Sequence, residues 1–447
     1  MSRQVKVMLV AMVIMSVVLM PLLAGCRSPG PVEEMPEIKI GIVGAMKFLS
    51  GEHTWWGAQL AAEKINAAGG VNVGGVIHEI KLIKADDNNV LSVTDAKNAM
   101  EKLVTVDRVN VIVGGYKTEA VLAQQEVMAD HRVIFMGAGS AHPEQSMRVA
   151  EDYERYKYWF RVAPVNSIYL GRIAFALTEM VGEVVRQELG IQTPKVALLF
   201  EKTAWVEPMI PAANKLLPEM GMEVVGLWMP SMVATDLTAE LTAIKAAGAH
   251  IIMPVLSGPV GVVYAKQWSE LEIPAASAGI NVEAQGPKFW EATRGKAEYE
   301  VVFDMVGRVA QTERTIPFYD AFVERFGAFP IYNAAGAYDA LYILKEAIER
   351  ADTLDSDAVI VELEKTDFQG AQGRIVFTGM DSPYPHDLIW GPGYVTGMGF
   401  QWRDGERRGI WPHGQAAIGD KAWVGIRHEG TVDYELPPWV VEHWKGQ

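Results

Sequence analysis

The sequence predicts an α/β fold of two doubly wound parallel-sheet lobes in series. Two observations carry that prediction. Short apolar, strand-like runs alternate with amphipathic helical stretches between residues 38 and 136, and after Pro164 the alternation starts afresh. A third observation sets the compartment: Arg3 and Lys6 precede an apolar run from Val7 to Leu23, and Leu23-Ala24-Gly25 leads into Cys26, the only cysteine of the chain. That layout is a secretory leader.

In the first series, Ile38 to Val43 reads as a strand, Trp55 to Ala67 as a helix stopped by Gly69-Gly70, and Glu79 to Lys84 as a second strand. Ala96, Ala99, Met100, Leu103 and Val104 follow the spacing of one buried helical face. Val109 to Val113 is a continuous apolar run, as expected of a strand covered on both sides. Thr118 to Asp130 and Val133 to Met136 complete the series as helix and strand. The second series reads helix 168–189, strand 195–200, helix 207–218, strand 223–228, helix 236–247 and strand 250–255.

Composition narrows the function. Of 447 residues, 49% are hydrophobic and 21% charged, enough for two or more cored domains. The formal charge is −15, and the leader holds two of the basic residues, so the remainder is more acidic still. That balance argues against binding nucleic acid or anionic lipid headgroups through a basic face. No second long apolar run follows the leader, which excludes a permease or a pore. With Cys26 as the sole cysteine, the body is held by packing rather than by disulfides.

The leader resembles a bacterial lipoprotein signal, which implies cleavage before Cys26, a lipid on its sulfur, and a Pro- and Glu-bearing tether over residues 26–36. An uncleaved membrane anchor is the competing reading, since the run nearly reaches the roughly 20 apolar residues that span a bilayer. Pro21 and the small residues at 24 and 25 fit a cleavage site better. Either way the body works outside the cytoplasm.

Six blocks then fall in the order and spacing of one family: IKIGIVGAM (38–46), AAEKINAAGGV (61–71), VIVGGYKTEA (111–120), GAGSAHPE (137–144), FRVAP (160–164) and ATDLTAELTAIKAAG (234–248). The chain resembles the leucine/isoleucine/valine-binding proteins, the type I periplasmic solute receptors of ABC importers, from about Ile38 to Trp411. The resemblance implies two lobes, 37–163 with 308–375 and 164–307 with 376–411, joined by crossovers near 161–164, 305–310 and 374–379 and closing on a small solute. It also implies an ABC permease as partner, no cofactor, and a monomer. HDLIWGPGYVTGMGFQW (386–402) looks like family tails, with a turn expected at Asp404-Gly405. Residues 412–447 have no assigned role.

Ligands of open α/β sheets bind at the carboxyl ends of strands, where helix N-termini offer unpaired N–H groups. Tyr116, Lys117 and Thr118 follow one predicted strand; Gly139, Ser140, Ala141 and His142 follow the next. These loops are the candidate ligand contacts. Thr118 equally suits an N-cap, Ser140 a turn, and Lys117 a solvated loop position. Ala141 stands where the family carries a threonine that holds the ligand, and the acid expected to meet an ammonium aligns near Asn281, with Glu283 the nearest carboxylate. Glu119, Glu201 and Glu283 are the candidate acids, Lys117 and His142 the candidate cations. Trp205 lies where relatives often place a tyrosine, and Trp55 is a further aromatic candidate, with Trp56 turned to the core. A cleft lined by Trp and Tyr suits an apolar or aromatic solute, or a cation held over a ring; the solute expected is a small amino acid or a related carboxylate or amide, and an aromatic or aliphatic acid held by Lys117 is the departure to test.

No dinucleotide fingerprint, phosphate loop, zinc-protease motif or nucleophile elbow occurs, and Ser140 with His142 lacks a third orienting group. Nine scattered histidines make no metal cluster, and Asp86-Asp87-Asn88-Asn89 reads as a strand-end cap. The expectation is a non-enzymatic receptor; the alternative is a sensory module of a signalling system on the same fold.

Overall fold

The structure, a computed structural model, describes residues 35–445. The leader and Cys26 lie outside the described residues. Residues 37–445 form one compact unit.

The first sheet has six strands in the order β2-β3-β1-β4-β5-β6. They are β1 (Glu37–Gly44), β2 (Val71–Val73), β3 (Val76–Asp86), β4 (Val111–Gly114), β5 (Ile134–Gly137) and β6 (Trp159–Arg161). All pairs are parallel except β2 with β3. Every position of β4 and β5 is buried, which is why both read as unbroken apolar runs. The predicted strand at 79 begins at Val76 because Gly74 and Gly75, at φ +61° and +81°, close a two-residue hairpin on β2.

Helices α1 (Leu49–Ala67), α2 (Val93–Lys102), α3 (Thr118–His131) and α4 (Glu144–Glu151) connect these strands. The first starts six residues before the expected Trp55. Its first turn sits so close to the end of β1 that a Cβ on Gly51 would lie 2.3 Å from Ala45 O, an approach only glycine permits. On α2, Ala96 and Met100 are buried, as is Leu103 just beyond it, while Ala99 and Val104 are only partly covered. The Ser92 hydroxyl caps this helix by accepting from Asp95 N at 3.1 Å.

The second sheet runs β10-β9-β7-β8, with β11 also paired to β9. Its elements are α5 (Ser167–Leu189), β7 (Lys195–Phe200), α6 (Met209–Glu219), β8 (Glu223–Trp228), α7 (Thr238–Ala246), β9 (Ile251–Leu256), α8 (Val260–Glu270), β10 (Ala276–Ser277) and β11 (Ile280–Asn281). Then β12 (Val301–Asp304) leads to α9 (Thr315–Phe326), α10 (Tyr332–Ala351) and α11 (Ser356–Leu363). Helix α10 packs against α1, β2 and β4, so the chain returns to the first sheet here. A hairpin of β13 (Asp367–Gly370) and β14 (Gly373–Val376) follows, and β15 (Met398–Arg403) then pairs with β12 and β16 (Glu406–Trp411) with β15, a three-stranded sheet beside the second sheet. The expected turn at Asp404-Gly405 joins β15 to β16, with φ +52° and +81°.

The chain thus passes between the sheets after β6, after β12 and after β14. Arg161, fully buried at the first passage, donates Nε to Asp387 beyond the third at 3.0 Å. It also donates to the backbone oxygens of Ser140 and His142. One guanidinium therefore ties two of the passages to the loop that follows β5.

The C-terminal segment packs against the second sheet's side of the molecule. Val432 N donates to Gly409 O at 2.8 Å, and Glu435 exchanges backbone bonds with the Gln401 side chain. Helix α12 (Pro438–Lys445) is pinned by two indoles: Trp439 Nε1 donates to Ile273 O at 3.0 Å and Trp444 Nε1 to Pro274 O at 2.6 Å.

Candidate functional site

A cavity lies where the carboxyl ends of both sheets' strands meet. Its volume is about 50 Å³.

Loops of the first sheet form one wall. Gly114 and Gly115, at φ +132° and +80°, turn the chain out of β4 so that Tyr116, Lys117, Thr118 and Glu119 reach the cavity. Lys117 occupies the N-cap of α3 without a side-chain cap, and Thr118 is the first helical residue rather than the expected N-cap. The first-turn N–H groups of α3 are therefore uncapped on the cavity side, and they carry the helix's partial positive charge. Lys117 is half-buried and, among the described residues, has neither ion pair nor hydrogen bond. Gly139 and Ala141 line the same wall. A Cβ at Gly139 would sit 2.2 Å from Gly115 O, so only glycine lets the two loops pack together.

The second sheet supplies the facing wall. Trp205 follows β7, Met232 follows β8, Ser257 follows β9, and Ile280, Val282 and Phe303 come from β11 and β12. This wall is largely apolar. Behind it, the buried Glu201 carboxylate accepts from Ser257 N at 2.7 Å, Gly258 N at 3.2 Å, Thr203 Oγ1 at 3.1 Å, Trp205 Nε1 at 2.9 Å and the Ser257 hydroxyl. Five donors leave no oxygen free to meet a ligand ammonium; Glu201 instead fixes the tilt of the Trp205 indole. Glu119, the cavity's own acid, is exposed on α3.

Several sequence candidates stand elsewhere. Ser140 is buried behind the wall, where its hydroxyl accepts from Gln145 Nε2. His142 is turned back to accept from Glu144 N at 3.2 Å, and burial lowers its pKa. Asn281 points away, donating to Glu300 Oε1 at 2.6 Å and Gly261 O at 3.0 Å. Trp55 lies outside the cavity lining, with the Lys84 ammonium 4.9 Å from its ring centre. Trp56 stacks on Phe326 with centroids 5.2 Å apart. Glu283 lies just beyond the cavity lining, in a small space bordered by the cavity's own Tyr116, Met232, Ser257 and Val282, and it also faces a space of about 270 Å³ shared with Lys47 and Lys288; burial raises its pKa.

Sequence reasoning passed over Leu170, Ser257, Gln285, Phe303 and Tyr332, all of which line the cavity. Ser257 was within reach, since it follows a strand read at 250–255. Tyr332, at the start of α10, sat in a stretch with no strand end to flag it.

A family model described as periplasmic binding protein matches residues 37–389. The chain belongs to that family. Among its relatives is Leu/Ile/Val-binding protein homolog 7 of Brucella abortus, 23% identical over 380 residues, covering 82% of this chain and 89% of that protein. Among solved structures, the branched-chain amino acid transporter substrate-binding protein LivJ of Streptococcus pneumoniae, in complex with isoleucine, superposes with a TM-score of 0.67 at 20% identity, covering 83% of this chain and 97% of that one. A solute-binding protein of an ABC transporter from Rhodopseudomonas palustris, in complex with 3,4-dihydroxybenzoic acid, gives a TM-score of 0.67 at 19% identity, covering 83% and 95%. The family resemblance and the two-sheet fold expected from the six sequence blocks are borne out.

Proposed function

We propose that this chain is the extracytoplasmic solute receptor of an ABC importer, lipid-anchored through Cys26 and monomeric, and that its solute is a small carboxylate with an apolar body. No covalent chemistry is involved. The solute bridges two lobes, divided at 163/164, 307/308 and 375/376, and shifts an open-to-closed equilibrium; the closed form docks on the permease.

The observation that carries the reading is the asymmetry of the cavity. Lys117 and the uncapped first turn of α3 stand on one wall, and the facing wall is apolar, with its buried carboxylate saturated. Such a site favours an anionic group on one side, and its facing wall gives a buried ammonium no counter-charge. Family membership supports the receptor role, and relatives whose names specify branched-chain amino acids or an aromatic acid bracket the size of solute.

The test is calorimetric titration of the purified protein and of Lys117→Met with leucine, isoleucine, 4-methylpentanoate and benzoate. Acids without an ammonium are expected to bind the wild type, and Lys117→Met to weaken them roughly ten- to a hundredfold, the worth of a hydrogen bond to a charged group. Leucine binding unchanged by Lys117→Met, with no response to the acids, overturns the carboxylate reading.

A further inference from the structure

A smaller space of about 10 Å³ adjoins the cavity, bordered on the first sheet's side by Phe48, Leu49 and Val90 and on the second's by Gly258 and Pro259. Four residues border both spaces and so form the partition between them: Tyr116, Met232, Ser257 and Val282. Three of the four are held. The Tyr116 hydroxyl donates to Ser257 O at 2.8 Å, and Ser257 donates its own N–H to Glu201 at 2.7 Å. Val282 is a buried, β-branched side chain whose N–H donates to Leu256 O at 2.9 Å. Met232 differs. Its backbone is seated, since its oxygen accepts from Val260 N at 3.1 Å and a Cβ on Gly258 would lie 2.5 Å from that oxygen. Its side chain is half-buried, unbranched and without a hydrogen-bond donor to satisfy, so it turns aside at little cost.

We infer that Met232 is a movable partition that sets the length of the solute's apolar body, so that the solute class extends from compact acids to acids with an unbranched tail. The inference rests on the carboxylate reading above and deepens it. With the acid group at Lys117 and the first turn of α3, the tail passes Met232 and ends against Phe48, Leu49 and Val90. Those three belong to the first sheet's side, Met232 and Pro259 to the second's. A longer tail therefore touches both halves and favours the closed form more than a short one does. Glu283 also borders the smaller space, and a tail running past it would strip water from a carboxylate, which sets an upper limit to length.

The experiment titrates the purified full chain, as wild type, Met232→Ile and Met232→Ala, with the straight-chain acids from butanoate to decanoate and with the matching primary amides. The readout is the ratio of octanoate to pentanoate affinity within each protein, which a uniform weakening does not move. In the wild type each added methylene is expected to tighten binding by up to about fourfold, and octanoate to exceed pentanoate by at least about tenfold once chain ordering is subtracted. Isoleucine is branched at Cβ and stiff, so Met232→Ile should cut that ratio to about twofold or less, whereas Met232→Ala removes the partition and should keep it. Position 232 lies in a turn, outside helices and strands, which spares the fold in both variants. A wild-type affinity that peaks at pentanoate or below, or a ratio that Met232→Ile leaves unchanged, overturns the inference and leaves the carboxylate reading intact. Amides that bind with this dependence on length and on Met232, while the acids do not bind, sink the carboxylate reading and keep the role of Met232. Silence from every solute overturns both.

Discussion

The Tyr116 hydroxyl donates to the backbone oxygen of Ser257 at 2.8 Å, a direct bond between the loop after β4 and the loop after β9. The same Ser257 donates its N–H and hydroxyl to Glu201, which also holds the Trp205 indole. Contact with Trp205 and contact between the two walls are thus coupled through one residue. Burial raises the Tyr116 pKa, so the phenol stays a donor throughout the physiological range. Tyr116→Phe removes this bond and nothing else of size. It is expected to loosen the closed form by about 0.5–1.5 kcal/mol, read as a larger radius of gyration in solution scattering and as weaker solute binding.

Glu201 offers a sharper stability test. Truncating it to alanine takes the acceptor from five donors, four of the bonds part-buried and one buried. Glu201→Ala should cost about 3 kcal/mol or more in denaturant unfolding, with a shifted Trp205 emission. Glu201→Gln, which retains one acceptor, should cost less.

At Arg161 the expectation turns on charge rather than on packing. The guanidinium and Asp387 are both essentially unexposed, with Nε and Oδ1 3.0 Å apart. Arg161→Ala leaves the carboxylate buried and unpaired, and a loss on the order of 3–5 kcal/mol is expected. Arg161→Lys keeps the charge but not the fork that reaches Ser140 and His142, so it should fall between wild type and alanine. Chemical denaturation with single-domain and two-domain fits compared would read both.

Burial pushes Glu300 up to about 8, against a weaker opposing effect of the Asn281 hydrogen bond. The folded state therefore holds a proton that the unfolded chain gives up near pH 4.5, and this contribution to stability is lost as pH rises from about 4.5 through 8. Glu300→Gln removes the titration. The difference in unfolding free energy between variant and wild type should shift in the variant's favour from pH 5 to pH 8, by on the order of 2–4 kcal/mol. A parallel pair of curves would contradict the assignment.

Trp55 provides the control. Its ring lies beneath the Lys84 ammonium and away from the cavity. Trp55→Ala should leave solute affinity within about twofold in titration.

Most of the sheet framework was legible because the central strands are covered on both faces and so appear as pure apolar runs: 111–114, 134–137 and 251–256 are buried at every position. The start of α1 was not, because it depends on the approach of Gly51 to Ala45 O, a contact between backbones that leaves no periodic trace. The loops of the site were placed by the rule of strand carboxyl ends, but the direction of each side chain was not. Ser140 and Asn281 sit at such ends and are drawn inward by Gln145 and Glu300, partners 5 and 19 residues along the chain. Gln285 escaped notice for the converse reason: its neighbour Glu283 carries the more conspicuous charge.

The two indole bonds fasten α12 to Ile273 and Pro274, on the half of the molecule that bears Trp205, so under the proposed closure the C-terminal helix is expected to travel with that half. A probe there is a pointer on a dial. With no native cysteine among the described residues, a dye pair at Glu442→Cys on α12 and Val361→Cys on α11 would register lobe rotation as a change in energy transfer, remote from the solute and independent of what that solute is.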